Sequence, residues 1–182
     1  MLVSQETFER FALDDPIRQW EMHRGQLREK PGMSFDHNDV MVYLGHFLMR
    51  QLDRDVYRVR VNAGHVRHQH DSYYIPDVVV IPLADAEHLR NRPDRLEVYD
   101  RSLPFVAEVW SPSTGDYDVD GKLPEYQRRG DLEIWRLHPF ERTLIAWRRQ
   151  PDGSYTETTY SGGTVDVASL PGVEIDLDRL FA

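Results

Sequence analysis

The chain has 182 residues, 40% hydrophobic and 29% charged, a balance that suits one globular domain and excludes a disordered or fibrous protein. It contains no cysteine, which excludes a disulfide framework, a thiolate zinc site and a cysteine nucleophile. The formal net charge of −9 runs against the basic surface that phosphate binding usually draws on, although carboxylates gathered around a cation would contribute to that figure.

No apolar run approaches the roughly 18 residues of a membrane helix. The polar, acidic stretch from Met1 to Asp15 lacks the layout of a signal peptide, so a single cytoplasmic domain over residues 1–182 is expected. Ser34 to Asp53 is predicted as an amphipathic helix. Ser34 serves as its N-cap, and Val40, Leu44, Phe47 and Leu48 form its apolar stripe. His37 lies seven residues before Leu44, near that stripe.

Tyr57, Val59 and Val61 alternate with Arg58 and Arg60, the period of a half-exposed strand. Gly64 to Ser72 reads as a polar hairpin loop, and Val78 to Ile81 as a strand covered on both faces. Residues 83 to 102 read as irregular, with one short helical turn. Phe105 to Trp110 is a buried strand interrupted only by Glu108. After the loop Ser111-Pro-Ser-Thr, Asp118 or Asp120 is expected to cap a short helix ending before Gly130, with Pro124 in its first turn. Leu132 to Leu137, Thr143 to Arg149 and Tyr155 to Tyr160 follow as strands, the last entered through the turn Pro151-Asp-Gly. The fold class is α/β, a mixed α+β sheet flanked by helices.

Three residues break the physical pattern of their surroundings. Asp77 directly precedes the run Val78-Val79-Val80-Ile81, and Glu108 shares a strand face with Val106 and Trp110. Unpaired carboxylates there are costly or take up a proton, and a hard divalent cation such as Mg²⁺ is a natural partner. Either one alone is more simply read as half of an ion pair with one of the many arginines, whereas the two together, on two buried strands, lean toward a shared cation. Lys122 lies 14 residues after Glu108, at the start of the following helix. Only it and Lys30 are lysines; the other 20 basic residues are arginine, so a compact ammonium is expected at 122. There it would orient or deprotonate a water and offset phosphate charge. Read alone, it is a solvated surface lysine.

The segments Tyr74-Ile-Pro-Asp-Val-Val-Val-Ile, Ala107-Glu-Val-Trp-Ser-Pro-Ser-Thr, Tyr117-Asp and Lys122-Leu-Pro-Glu-Tyr resemble the Uma family of bacterial proteins. That family is classed with restriction endonucleases in the PD-(D/E)XK nuclease superfamily. Trp20-Glu-Met-His-Arg-Gly, His37, Glu133-Ile-Trp and Leu170-Pro-Gly-Val with the closing Leu180-Phe181 extend the likeness along most of the chain. The resemblance implies a restriction-endonuclease-like core of order αβββαβ with additional C-terminal strands. It also implies Mg²⁺- or Mn²⁺-dependent hydrolysis of DNA phosphodiesters and a homodimer. Asp77, Glu108 and Lys122 would be catalytic, with Asp77, Glu108 and the backbone carbonyl of Val109 as metal ligands and His37 as an accessory group.

Two departures from the family pattern stand out. Gln26 occupies a commonly acidic position after the opening glycine, so a possible extra carboxylate is missing there. Phe105 occupies another commonly acidic position.

Two other classes compete. One is a catalytically inactive member that keeps the fold as a binding or assembly module, consistent with the acidic balance and Gln26. The other is a His-based metalloprotein built on His65, His68 and His70 with Asp71. A solvated histidine-rich loop is the simpler reading of that segment.

Overall fold

A computed structural model describes residues 2–182, among which no helix is long and apolar enough to cross a membrane. After helix α1 (Gln5–Asp14), strands β1 (Trp20–His23) and β2 (Gln26–Glu29) form a hairpin, with Arg24 and Gly25 in the left-handed conformation its turn requires. Helix α2 (Phe35–Gln51) begins at Ser34, whose hydroxyl accepts from the His37 N–H. Strands β3 (Tyr57–Val61), β4 (His65–His68), β5 (Ser72–Tyr74) and β6 (Val78–Pro82) follow. Next come a helical turn α3 (Leu83–Ala86), a 3₁₀ turn, the short β7 (Val98–Tyr99) and β8 (Phe105–Val109).

The second half of the chain begins with the turn α4 (Gly115–Tyr117), a π turn over Asp118–Lys122 and helix α5 (Leu123–Arg129). Pro124 lies in the first turn of α5, and Gly130 ends it with φ 78°. Strands β9 (Glu133–His138), β10 (Thr143–Arg149), β11 (Tyr155–Tyr160), β12 (Thr164–Asp166) and β13 (Glu174–Asp176) lead to the turn α6 (Leu177–Leu180).

The central sheet has six strands in the order β11-β10-β9-β8-β6-β3, antiparallel except for the parallel pair β8 and β9. Its core connectivity, α2, β3, β6, β8, α5, β9, is the αβββαβ order read from the sequence, with C-terminal strands added at one edge. Strand alternation divides its side chains cleanly between two cores. Val78, Val80, Phe105, Ala107 and Val109 pack on one face against Val40, Leu44 and Leu48 of α2 and against the C-terminal segment. Val79, Ile81, Val106 and Ile134 pack on the other against Tyr126 of α5 and against Val66, Tyr74 and Tyr99. Gly45 lets α2 lie close on β3, because a Cβ there would sit 2.3 Å from Val61 Cγ2.

Two local expectations are corrected, and one helix is added. The stretch read as a histidine-rich loop contains β4 and the start of β5. These strands belong to a second sheet, ordered β2-β1-β5-β4-β7, which the sequence reading did not anticipate. Their short, polar alternation hides the strand signal, and the sheet closes over Phe8, Met22 and Tyr73 instead of carrying its own apolar run. The N-terminal stretch holds α1, capped by Ser4. Asp118 and Asp120 cap no helix; both lie within the π turn, where Asp118 is buried.

Candidate active site

The β6–β8 ladder pairs Val78 with Ala107, and one further step of that antiparallel register sets Asp77 opposite Glu108. Like charges at directly opposed positions repel, so the fold must supply counter-charge at this end of the sheet. It does so with both lysines of the chain. Lys30, just past β2, donates to Asp77 Oδ1 at 2.9 Å and to the Ile75 carbonyl at 2.8 Å. The other oxygen of Asp77 accepts from His37 Nε2 at 3.0 Å and from the Val109 N–H at 2.8 Å. An ionised carboxylate only accepts, so His37 carries its proton on Nε2. That leaves the buried Nδ1 without a partner.

Lys122 is placed by the π turn that precedes α5, a device that recurs at functional sites. Its Nζ lies 3.2 Å from Glu108 Oε1, 3.0 Å from Glu21 Oε1 and 3.6 Å from Asp118 Oδ1. Glu21 comes from β1 and also accepts the Ile75 N–H at 2.8 Å, tying the hairpin to the sheet. Tyr126 of α5 donates its hydroxyl to Glu108 Oε1. Asp118 accepts from Thr114 through Oδ2, whereas its buried Oδ1 has no hydrogen-bond partner. Glu21, Asp77, Glu108, Asp118 and Lys122 are each at most 5% exposed.

Burial and charge push these groups apart. Burial raises Asp77, but the Lys30 ammonium and His37 outweigh it and hold that carboxyl well below the usual range. Glu108 goes the other way. Burial, helped by the charges of Asp77 and Asp118, overrides Lys122 and pushes it up to about 8. Burial likewise raises Asp118. Lys122 is opposed by its own burial, yet Glu108, Glu21, Asp118 and Asp77 hold its proton far more tightly than usual. Lys122 and Glu108 therefore both favour their protonated forms, because four acids face only two ammonium groups.

The structure brings Asp77, Glu108, Lys122 and His37 together, and Val109 joins them through its N–H on Asp77. Gln26 is exposed on β2 across from His23, outside this cluster. Sequence reasoning missed Glu21, Lys30, Asp118 and Tyr126. Lys30 carried a usable signal, since it is one of only two lysines, and Glu21 stands in the hairpin motif Trp20-Glu-Met-His. The three histidines of the competing metal reading diverge. His65 is buried with Nε2 on the Trp20 carbonyl, His68 pairs with Glu125, and His70 reaches Gln5 from an exposed position.

The donors near Glu108 are carboxylate oxygens, which suit a hard divalent cation over a soft one. The excess of two acids over two ammonium groups equals the charge such an ion carries, and the unpartnered Asp118 Oδ1 is a free donor. On both counts the residues fit a magnesium- or manganese-type ion. Among the described residues no three His, Asp or Glu side chains form a ready cation cage, because the Lys122 ammonium stands among the acids.

A mixed sheet of connectivity αβββαβ, with an opposed Asp–Glu pair at the ends of adjacent strands and a lysine from the π turn after β8, is consistent with a restriction-endonuclease-like fold. The Uma2 family, described as "Putative restriction endonuclease", matches residues 5–178, and the chain belongs to that family. The fold is similar to the crystal structure of a "putative nuclease belonging to DUF820" from Anabaena variabilis ATCC 29413. The TM-score is 0.78 at 15% identity, over 98% of this chain and 97% of that one. Comparison with curated proteins gives no significant match.

Proposed function

We propose that the protein is a divalent-metal-dependent endonuclease that hydrolyses DNA phosphodiesters. The observation carrying this reading is the charge imbalance of the buried cluster, in which Glu21, Asp77, Glu108 and Asp118 share only Lys30 and Lys122. Asp77, Glu108 and the Val109 carbonyl would hold the ion, with Asp118 as a further donor. A bound Mg²⁺ or Mn²⁺ would polarise the phosphate and its attacking water.

In the hydrolysis a water oxygen bonds to phosphorus and releases a proton to solvent, the bond to the leaving sugar oxygen breaks, and that oxygen takes up a proton from solvent. Lys122 holds its proton too firmly to act as the base. As an ammonium it orients the water and offsets charge on the phosphate oxygens. Lys30 and His37 keep Asp77 ionised and fixed in place. Both also line a cleft of about 630 Å³, together with Arg18, Asn38 and Asn62, and Asp77 lies buried behind them. Beside Glu108 and Asp118 there is only about 10 Å³, about the space one water needs.

That closure favours a second reading, a non-catalytic module that keeps the fold for binding. Cleavage of plasmid and single-stranded DNA with Mn²⁺ or Mg²⁺ separates the two. Wild-type protein cleaves, and folded Asp77→Ala and Lys122→Ala lose at least a hundredfold in rate. Cleavage surviving both substitutions refutes the site, and absence of wild-type cleavage together with absence of Mn²⁺ binding by calorimetry favours the module.

A further inference from the structure

We infer that an arginine-lined groove along the edge strand β3 is the track on which this protein holds a nucleic-acid backbone. This inference rests on the nuclease reading and goes beyond it by naming a binding surface separate from the acid cluster. The groove has a volume of about 570 Å³. Its cationic lining is Arg54, Arg58, Arg60, Arg90 and Arg95, against a single carboxylate, Glu97. Five guanidiniums in one concavity are a strong local reversal of sign in a chain of net charge −9.

The ion pairs of the chain single this groove out. Most arginines elsewhere on the 83–102 segment and on α5 are neutralised locally: Arg92 by Asp94, Arg101 by Asp85, Arg128 by Glu125 and Arg129 by Asp131. In the groove, Arg60 pairs with Glu97 and Arg90 with Glu87. Arg54, Arg58 and Arg95 have no carboxylate within ion-pair distance among the described residues. Arg58 spends its donors on the Arg54 and Tyr57 carbonyls, which fixes the guanidinium without cancelling its charge. Three uncompensated guanidiniums sharing one concavity suit an anion of extended shape.

The position relative to the acids identifies that anion. On β3, Arg58 is registered with Ile81 and Arg60 with Val79, so both stand on the sheet face that carries Asp77 and Glu108. At about 3.3 Å per residue, they lie roughly 13 and 7 Å along the strand from the position beside Asp77. Asn62, the residue after β3, donates its N–H to the Asp77 carbonyl and lines the cleft shared with Lys30 and His37. β3 and the residue after it therefore border both spaces in succession, the arginine groove and then the cleft lined by Lys30 and His37.

The groove floor is Leu83, Ala86 and Leu89, which offers apolar contact to sugars, and its only aromatic residue, Tyr99, is buried. With no exposed ring to stack on and Asn91 as its one side-chain amide, the surface is dominated by groups that contact backbone phosphate.

The test measures binding of a fluorescent 20-nucleotide single strand by anisotropy in EDTA over a range of salt, so that it does not depend on cleavage. The variants are Arg54→Glu/Arg95→Glu, both exposed, and the control Arg50→Glu/Arg142→Glu, which makes the same change in net charge elsewhere. Folding is checked by circular dichroism and melting. The groove variant is expected to bind at least tenfold more weakly than wild type. Its salt slope should fall by roughly 1.4, for two lost phosphate contacts at about 0.7 each, with the control close to wild type. Equal weakening in both variants, or none in either, overturns the groove and leaves the nuclease reading standing if Mg²⁺-dependent cleavage persists. Wild-type binding that is lost in the groove variant, without cleavage of any nucleic acid, supports the groove and sinks the nuclease reading. Preferential binding of phosphatidylserine vesicles over the oligonucleotide, lost in the same variant, overturns the nucleic-acid assignment.

Discussion

Substituting Glu108 by glutamine should make the metal-free protein more stable, and increasingly so as the pH rises. Glutamine keeps an acceptor for the Tyr126 hydroxyl and for Lys122 while removing the charge. Glu108 goes from 4.5 in the unfolded chain to about 8 in the folded one, so the native state binds this proton more tightly. Its contribution to stability is therefore whole below pH 4.5 and is lost as pH rises toward 8. At about 1.4 kcal/mol per pKa unit, ionisable Glu108 costs the fold roughly 2 kcal/mol at pH 6 and roughly 5 kcal/mol at pH 9. Urea denaturation in EDTA should thus show Glu108→Gln gaining on wild type by roughly 3 kcal/mol between those two pH values. Every other titrating group is common to both proteins and largely cancels in the difference. Saturating Mg²⁺ should stabilise wild type at pH 9 and leave Glu108→Gln unmoved, because ligand binding to the native state adds stability only where the site exists. A gap that stays constant or narrows with pH would refute the claim that Glu108 is the uncompensated acid of the cluster.

Lys30→Met removes the ammonium that holds Asp77 ionised in a buried position. It should cost about 3–5 kcal/mol at pH 7 in urea denaturation. Because Asp77 is held below its ordinary value, the stability it confers is present above pH 3.8 and lost as pH falls, so this deficit should shrink toward pH 3. Gln26→Ala, at an exposed position, should change stability by less than about 0.5 kcal/mol. It should also leave metal-dependent cleavage within twofold of wild type; a tenfold fall would mean that Gln26 reaches the bound substrate.

The central sheet was legible because its strands are apolar runs with period-two faces, and α2 because its cap and stripe agree. Asp77 and Glu108 were legible for the converse reason, as charges inside those runs. The second sheet was not: β4 and β5 are built of His, Arg, Ser and Tyr, and no local pattern separates such a sequence from a polar loop. Glu21 and Lys30 were missed as site residues because their roles are set by contacts across long sequence separations, to Ile75, Asp77 and Lys122. An alternating two-residue pattern around Glu21 gives no warning that the side chain is buried. The choice of lysine over arginine did carry that information. Both lysines of the chain sit below 6% side-chain exposure, each contacting more than one oxygen, which suits a compact ammonium.

Net charge alone argued against a nucleic-acid enzyme, and the distribution of that charge resolves the conflict. The acids that matter are sequestered at one end of the central sheet, where Lys30 and Lys122 offset half of them and a divalent ion would offset the rest. Outside that cluster, local pairs such as Arg148 with Glu133 and Arg67 with Asp100 cancel one another at short range, where screening leaves little field beyond about 10 Å. The rest of the chain still holds more carboxylates than cations, so the field a phosphate backbone meets is positive only close to the groove on β3, where three guanidiniums lack a carboxylate partner. A negative total and a positive approach to the site are therefore compatible in this fold, because Debye screening makes the substrate respond to the nearest unpaired charges rather than to the sum.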